Sequence, residues 1–293
     1  KAPMTNAIPT YTTTWDVIEA GPTHYPLSPG ASGRRSPGGS VWGKIIGGTI
    51  GLGLGGPIGL VVGAVAGHFA VDRRASSPQT GAGGTHGPHF SREERQVAFA
   101  VAVVALSAKL AKADGQVTRD EVAALKRIFQ LPKEAEATIG AIFNEARKDA
   151  TGFEPYARQL VGIFGARAGV LEELLAALLL IAHVDGTYHP EERRLIAAVA
   201  AIFGFSDSEF ARIEATFSRK AGEPPGDPYI VLGLTKQASD AEIKVAYRRL
   251  LQENHPDRLI AQGLPEEFIE VANRKMAEIN AAYDRIKKER GIR

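Results

Sequence analysis

The 293-residue chain contains no cysteine. That absence excludes disulfides, thiolate zinc sites and a cysteine nucleophile, and it suits a reducing compartment. An excess of charge of one sign is missing too. The 35 Lys and Arg against 33 Asp and Glu leave a net charge of +2, which gives no electrostatic reason to expect a nucleic-acid partner. With 44% hydrophobic and 23% charged residues, the chain is neither collagen-like nor disordered throughout. Its length accommodates roughly two domains.

Glycine and proline are present but unevenly placed: 28 of 49 fall in residues 1–90. Residues 1–40 carry six prolines and no apolar periodicity, so they cannot offset their ordering entropy and are expected to be a disordered extension. From Ile45 to Gly67, 23 consecutive residues lack a charged side chain. As a helix this run is about 35 Å long, enough for a hydrocarbon core of about 30 Å. Residues 42–70 are therefore expected to form a single membrane helix, with residues 71–90 as a flexible linker. No shorter apolar run followed by an A-x-A-like site marks a cleaved signal peptide.

Gly43, Gly47, Gly51, Gly55, Gly59, Gly63 and Gly67 recur at every fourth position within this span. A strip without side chains lets a second helix approach closely, so Gly47, Gly51, Gly55, Gly59 and Gly63 are assigned to dimerisation in the membrane. Pro57, next to Gly55 and Gly56, leaves a kinked span or a re-entrant hairpin as the alternative. Arg34, Arg35 and Lys44 before the span against Arg73 and Arg74 after it do not decide orientation. His86 and His89 in the linker have no third ligand nearby and read as solvated.

Residues 91–219 are strongly helical in pattern. The runs Val97 to Ala108 and Leu174 to Val184 are nearly all apolar yet too short to span a bilayer, so they are expected to be buried core helices. Breaks at Asp114-Gly115, Leu131-Pro132, Gly152, Gly165, Asp185-Gly186 and Gly204 divide the segment into about six or seven helices. The Asp-Gly corners at Asp114 and Asp185 lie 71 residues apart in an internal repeat. Two accounts fit them. Gly permits the turn, Thr118 with Glu121 forms a capping-box pattern and Pro190 suits a first helical turn. Alternatively, Asp114 with Glu121 and Asp185 with Glu192 bring paired carboxylates near one divalent cation, with fewer oxygen ligands than a full EF-hand loop. These corners resemble the TerB family of helical domains, which makes metal binding an expectation to test.

After a linker at 220–226, Asp227-Pro228 starts a short helix that Gly233 ends. Ser239 and Glu242 form a capping box before Ile243, Ala246, Tyr247 and Leu250, an amphipathic helix. A second helix from about Pro265 to Lys288 shows Phe268, Ala272, Met276, Ile279, Tyr283 and Ile286 on one face. The connection between them, about residues 254–264, carries His255-Pro256-Asp257. Lys244, Arg248 and Arg249 make a basic face, while Glu242, Glu253, Glu266, Glu267 and Glu270 around it argue against nucleic acid. No nucleophile, phosphate loop or third catalytic group accompanies His255 and Asp257, so no enzymatic site is expected.

Together with Asp227-Pro228-Tyr229, Leu232-Gly233-Leu234, Ala246-Tyr247-Arg248-Arg249-Leu250 and Ile279-Asn280-Ala281-Ala282-Tyr283, the His-Pro-Asp motif makes residues 227–293 resemble a J domain. The order of span, TerB-like domain and J domain, with Trp42-Gly43-Lys44-Ile45-Ile46-Gly47 and Gly263-Leu264-Pro265, resembles the DjlA-type membrane-anchored co-chaperones of Gram-negative bacteria. The resemblance implies an all-α fold: one N-terminal membrane helix, a TerB-like helical bundle and a C-terminal J-domain helical hairpin. It implies docking on a DnaK-type chaperone ATPase through Lys244, Tyr247, Arg248 and Arg249, with hydrolysis triggered by His255, Pro256 and Asp257 and no required cofactor. It further implies the inner membrane with the C-terminal domains cytoplasmic, and it makes residues 1–40 an upstream extension with Val41 a candidate start. The alternative function is a membrane-bound metal or envelope-stress sensor acting through the TerB-like domain.

Overall fold

The structure, a computed structural model, describes residues 40–46, 54–70, 90–113, 119–148, 152–184, 188–217 and 226–292, with the side chains of 66–70, 113, 119–121 and 124 outside that description. Among the described residues every regular element is helical, in keeping with the all-α expectation.

Residues Arg92–Ala113 form α3 and Gly169–Ala182 form α7, following α1 (Val41–Ile46) and α2 (Gly56–Ala70) and the intervening α4 (Arg119–Ile128), α5 (Lys133–Lys148) and α6 (Glu154–Phe164). A helix apolar on all sides must be enclosed on all sides. Val97 through Ala108 of α3 and Val170 through Leu179 of α7 are buried accordingly. Ser107, the hydroxyl within this run of α3, is satisfied by donating to the Val103 carbonyl at 2.7 Å. Helices α4, α5, α6, α8 (Pro190–Ile202) and α9 (Asp207–Phe217) wrap around the two. The breaks at Gly165 and Gly204 fall at positive φ, 85° and 89°, which glycine adopts without a Cβ penalty.

The C-terminal unit comprises α10 (Pro228–Val231), α11 (Asp240–Glu253), α12 (Pro256–Gln262), a 3-10 turn (Glu266–Phe268) and α13 (Ile269–Arg290). Its termini are built as the local sequence requires. Asp227 accepts from the Tyr229 amide at 3.0 Å, and Ser239 and Glu242 cap α11 reciprocally, at 3.3 and 2.7 Å. The expected loop at 254–264 is instead mostly the helix α12. His255 caps it, Pro256 occupies its first turn, Gly263 ends it at φ 112°, and Leu259 is buried. Proline at the start and glycine just past the end is the asymmetry of a helix, and it outweighs the expectation of a loop.

This unit has two cores. Tyr229, Leu232, Ile243, Leu250, Ile279 and Ile286 pack together at its far end. Leu259, Leu264, Phe268, Val271 and Ala272 instead join the core of the preceding bundle. Lys275, fully buried on α13, meets Glu172 at 2.6 Å and Glu173 at 2.8 Å on α7. The J-like unit is therefore seated on the bundle by apolar and ionic contacts.

Of the segment expected as a single membrane helix, 42–70, residues 47–53 lie outside the described residues. Its described residues form α1 and α2, and between these helices Gly55 and then Gly56, the first residue of α2, adopt φ of 56° and 57°. Two successive left-handed residues stop a right-handed helix, and Pro57 suits the start of the next one. The Gln159 amide substitutes for the interrupted backbone bonds, donating to the Leu54 and Gly55 carbonyls at 3.0 and 2.8 Å and accepting from the Ile58 amide at 3.0 Å. At 15 residues α2 spans about 23 Å. Among the described residues no helix is long and apolar enough to cross a membrane. Apolar surface is buried wherever it finds apolar neighbours: Ile58, Val61, Val62 and Val65 are buried, and α2 packs on α3, α5 and α6. Trp42 lies between Phe129 and Phe268 and donates its indole N–H to the Phe129 carbonyl at 2.9 Å.

Candidate partner-docking site

The candidate site is built on α11 and the turn that follows it. Ile243, Ala246 and Leu250 point one face of α11 into the core. Arg248 and Arg249 on the opposite face are exposed, and Lys244 is half-buried. Arg248 is oriented by donating its Nε to the Lys244 carbonyl at 3.2 Å. Tyr247 is held between the faces: its ring stacks on Tyr283 with centroids 3.9 Å apart, and its hydroxyl donates to Asn280 at 2.9 Å. Partial burial, then the neighbouring Asp284 and Tyr283, raise its pKa above the usual 10. It is a fixed neutral donor that couples α11 to α13.

Asn254 closes α11. It is buried, and both its side-chain and backbone N–H groups donate to the Leu250 carbonyl, at 2.8 and 3.1 Å. His255 then turns outward, and its Nδ1 accepts the Asp257 amide at 3.2 Å. With Nδ1 an acceptor, the proton of the neutral ring sits on Nε2, facing away from the cap. Side-chain exposure is 57% for His255 and 89% for Asp257, and the His255 Nδ1 stands 3.9 Å from the nearer Asp257 carboxylate oxygen. A pair this open to water is poorly placed for acid/base chemistry and well placed to contact a partner. Lys244, Tyr247, Arg248 and Arg249 thus lie along α11, and His255, Pro256 and Asp257 form the turn that follows it and opens α12.

The other sequence assignments are placed differently. Asp114, Asp185, Gly47 and Gly51 lie outside the described residues, as does the side chain of Glu121. Glu192 is buried and accepts the His189 amide at 2.9 Å, the capping role at the start of α8. Among the described residues no three His, Asp or Glu side chains gather as a metal site would require. Gly55 forms the left-handed turn, Gly59 lies on α2, and a Cβ placed on Gly63 would meet nothing within 4 Å.

Sequence reasoning passed over Glu172, Glu173, Arg212 and Lys275. Arg212 reaches Glu172 at 2.8 Å, so two buried cations face two buried acids. Burial alone would raise the pKa of Glu172, but Lys275 and Arg212 hold it down to about 2. Glu173, which shares only Lys275 and leaves Oε2 without a hydrogen-bond partner, is pushed up by burial. The available signal was two adjacent acids inside the otherwise apolar run of α7.

The comparisons with known proteins agree with this organisation. The family profile for the DnaJ domain matches residues 227–291, that for tellurite resistance protein TerB matches 100–215, and that for the co-chaperone DjlA transmembrane domain matches 40–85. Co-chaperone protein DjlA of Photobacterium profundum is 35% identical over 277 residues, covering 86% of this chain and 100% of the relative. Those of Aliivibrio fischeri and Vibrio cholerae are 35% and 34% identical, each covering 86% of this chain and 99% of the relative. No solved structure matches. With an exposed His-Pro-Asp turn on a J domain seated against a TerB domain, and relatives alike over nearly their whole length, the chain belongs to the DjlA family of co-chaperones.

Proposed function

We propose that this co-chaperone recruits a DnaK-type chaperone and stimulates its ATP hydrolysis through the His-Pro-Asp turn of its J domain. One observation carries the reading: the basic face of α11 and the His255–Asp257 turn are open to solvent together, while the opposite face of the helix is committed to the J-domain core. Lys244, Arg248 and Arg249 attract and orient an acidic surface. Pro256 stiffens the turn, and Asp257 presents an anionic acceptor beyond the basic patch. The protein contributes no group that cleaves ATP. Its effect is to favour the hydrolysing state of the partner.

The test is single-turnover ATP hydrolysis by a DnaK-type chaperone with the full chain added. Stimulation by the wild type and its loss in His255→Gln are expected; equal rates would sink the proposal.

The 42–70 segment supplies the membrane anchor, with the C-terminal domains on the cytoplasmic side of the inner membrane, where ATP and DnaK-type chaperones lie. The match to the DjlA transmembrane domain supports this. Insertion and the packing of α1 and α2 on the bundle exclude each other, because Trp42, Ile58 and Val61 cannot contact lipid and protein core at once. Dimerisation through Gly47, Gly51, Gly55, Gly59 and Gly63 would follow insertion. Replacing Gly51, Gly55 and Gly59 by Leu is expected to weaken association in a membrane reporter assay, and an unchanged signal would assign the glycines another role. Metal binding at Asp114, Glu121, Asp185 and Glu192 is a separate proposal; no heat of binding with millimolar calcium, zinc or magnesium would end it.

A further inference from the structure

The seat of the J domain creates a cleft of about 200 Å³ beside the His-Pro-Asp turn. One wall is the TerB domain, with Arg167, Glu209 and Arg212; the other is the J domain, with Arg249, Glu253 and Arg258. The two walls touch at the foot of the turn. A Cβ on Gly169, the first residue of α7, would lie 3.2 Å from the Glu253 carbonyl and 3.0 Å from Leu259. Arg167 is held at the rim by its backbone: its φ is 59° and its amide donates to the Phe203 carbonyl at 2.9 Å.

The charges of the two walls are not balanced. Arg167 pairs with Glu209, and Arg212 pairs with Glu172. Arg249 and Arg258 make no ion pair among the described residues, and of the three acids in the lining only Glu253 stands outside the pairs just named. Deeper in, Arg212 Nη1 and Gln262 Oε1 are buried without hydrogen-bond partners. An unpaired buried guanidinium N–H costs free energy that an incoming carboxylate would recover.

We propose that the chaperone-docking surface extends from the J domain onto the TerB domain, and that an acidic segment of the ATPase partner enters this cleft with Arg167 on one side and Arg249 and Arg258 on the other. The inference rests on the docking function proposed above and adds a wall to that site. It makes Arg167 a specificity residue outside the J domain: it binds partner charge and takes no part in triggering hydrolysis.

The test measures single-turnover ATP hydrolysis by the DnaK-type partner against the concentration of the full chain in detergent. Arg167→Glu is expected to raise the half-maximal concentration about threefold to tenfold with the maximal rate kept. Arg167→Lys is expected to retain wild-type behaviour. Glu209→Gln frees Arg167 while its amide oxygen can still accept from Ser206, and is expected to lower the half-maximal concentration about twofold. Arg194→Glu, an equal change of charge on the exposed face of α8, is expected to have no effect. Loss of stimulation in His255→Gln, with Arg167→Glu and Glu209→Gln both unchanged, would overturn the inference alone. A fall in maximal rate without a change in half-maximal concentration would overturn it too. Undiminished stimulation by His255→Gln would overturn the docking function itself.

Discussion

Lys275 of the J domain and Glu173 of the TerB domain, 102 residues apart, meet at 2.8 Å with both side chains excluded from solvent. Desolvating such a pair costs several kcal/mol, so its Coulombic gain goes largely to offset burial. Its consequence is positional. A lysine left without its acids in this interface is heavily penalised, so the J domain sits where Glu172 and Glu173 are.

Lys275→Met removes the cation from between two buried acids. Leaving a buried charge uncompensated costs about 3–5 kcal/mol, although Arg212 still neutralises Glu172 and keeps the loss at the lower end. Glu173→Gln, which keeps an acceptor for Lys275 and removes an acid already resisting ionisation, is expected to change stability by less than about 1 kcal/mol. Urea unfolding of the three proteins checks the order, and equal losses would mean the cluster contributes nothing specific.

The same two acids set opposite pH trends. Glu172 is held at about 2, below its usual 4.5, so its contribution is complete above about 4.5 and is lost as pH falls toward 2. Glu173 is raised above 4.5, so ionising it costs stability as pH climbs from 4.5 through its folded value. Melting temperatures of Glu173→Gln and the wild type are expected to converge near pH 4 and to diverge toward pH 7 in favour of the variant. A constant gap would contradict the assignment.

Gly263 ends α12 at φ 112°, and a Cβ there would lie 2.7 Å from the Cβ of Arg95 on α3. Alanine meets both a disfavoured backbone region and a contact that must open. Gly263→Ala is expected to destabilise by about 2 kcal/mol and to speed hydrogen exchange at Phe268 and Ile269. Slow exchange equal to wild type would show that the interface absorbs the change.

The absence of native cysteine makes introduced pairs report cleanly. Ser40→Cys with Glu267→Cys, whose native side chains meet at 2.6 Å, is expected to be joined by a short bifunctional thiol reagent when α1 lies on the bundle in aqueous solution and to stop being joined once the chain is reconstituted in liposomes. Equal cross-linking in both would mean that α1 stays on the bundle and takes no part in the anchor.

The amphipathic spacing of α11, its Ser239–Glu242 box, the Asp227 cap and the His-Pro-Asp turn were legible because each depends on neighbours within about one helical turn. The enclosed runs of α3 and α7 were legible as core because apolar character on all sides admits no exposed face. The helix α12 was missed although Pro256 and Gly263 marked its ends, because the motif between two helices invited a loop. The interruption of the apolar span was present only as the Gly55-Gly56-Pro57 alternative.

Most of the helices and their caps, the family and the His-Pro-Asp turn are thus readable without a structure, since these rest on local spacing and short-range hydrogen bonding. Tertiary structure alone decided that Lys275 would face Glu172 and Glu173, that Gln159 would satisfy the broken backbone at Leu54 and Gly55, and that Arg167 would stand opposite Arg249 and Arg258. Those pairings join residues about eighty or more positions apart. No local pattern encodes them, because they follow from how enclosed apolar faces of different helices find a shared core.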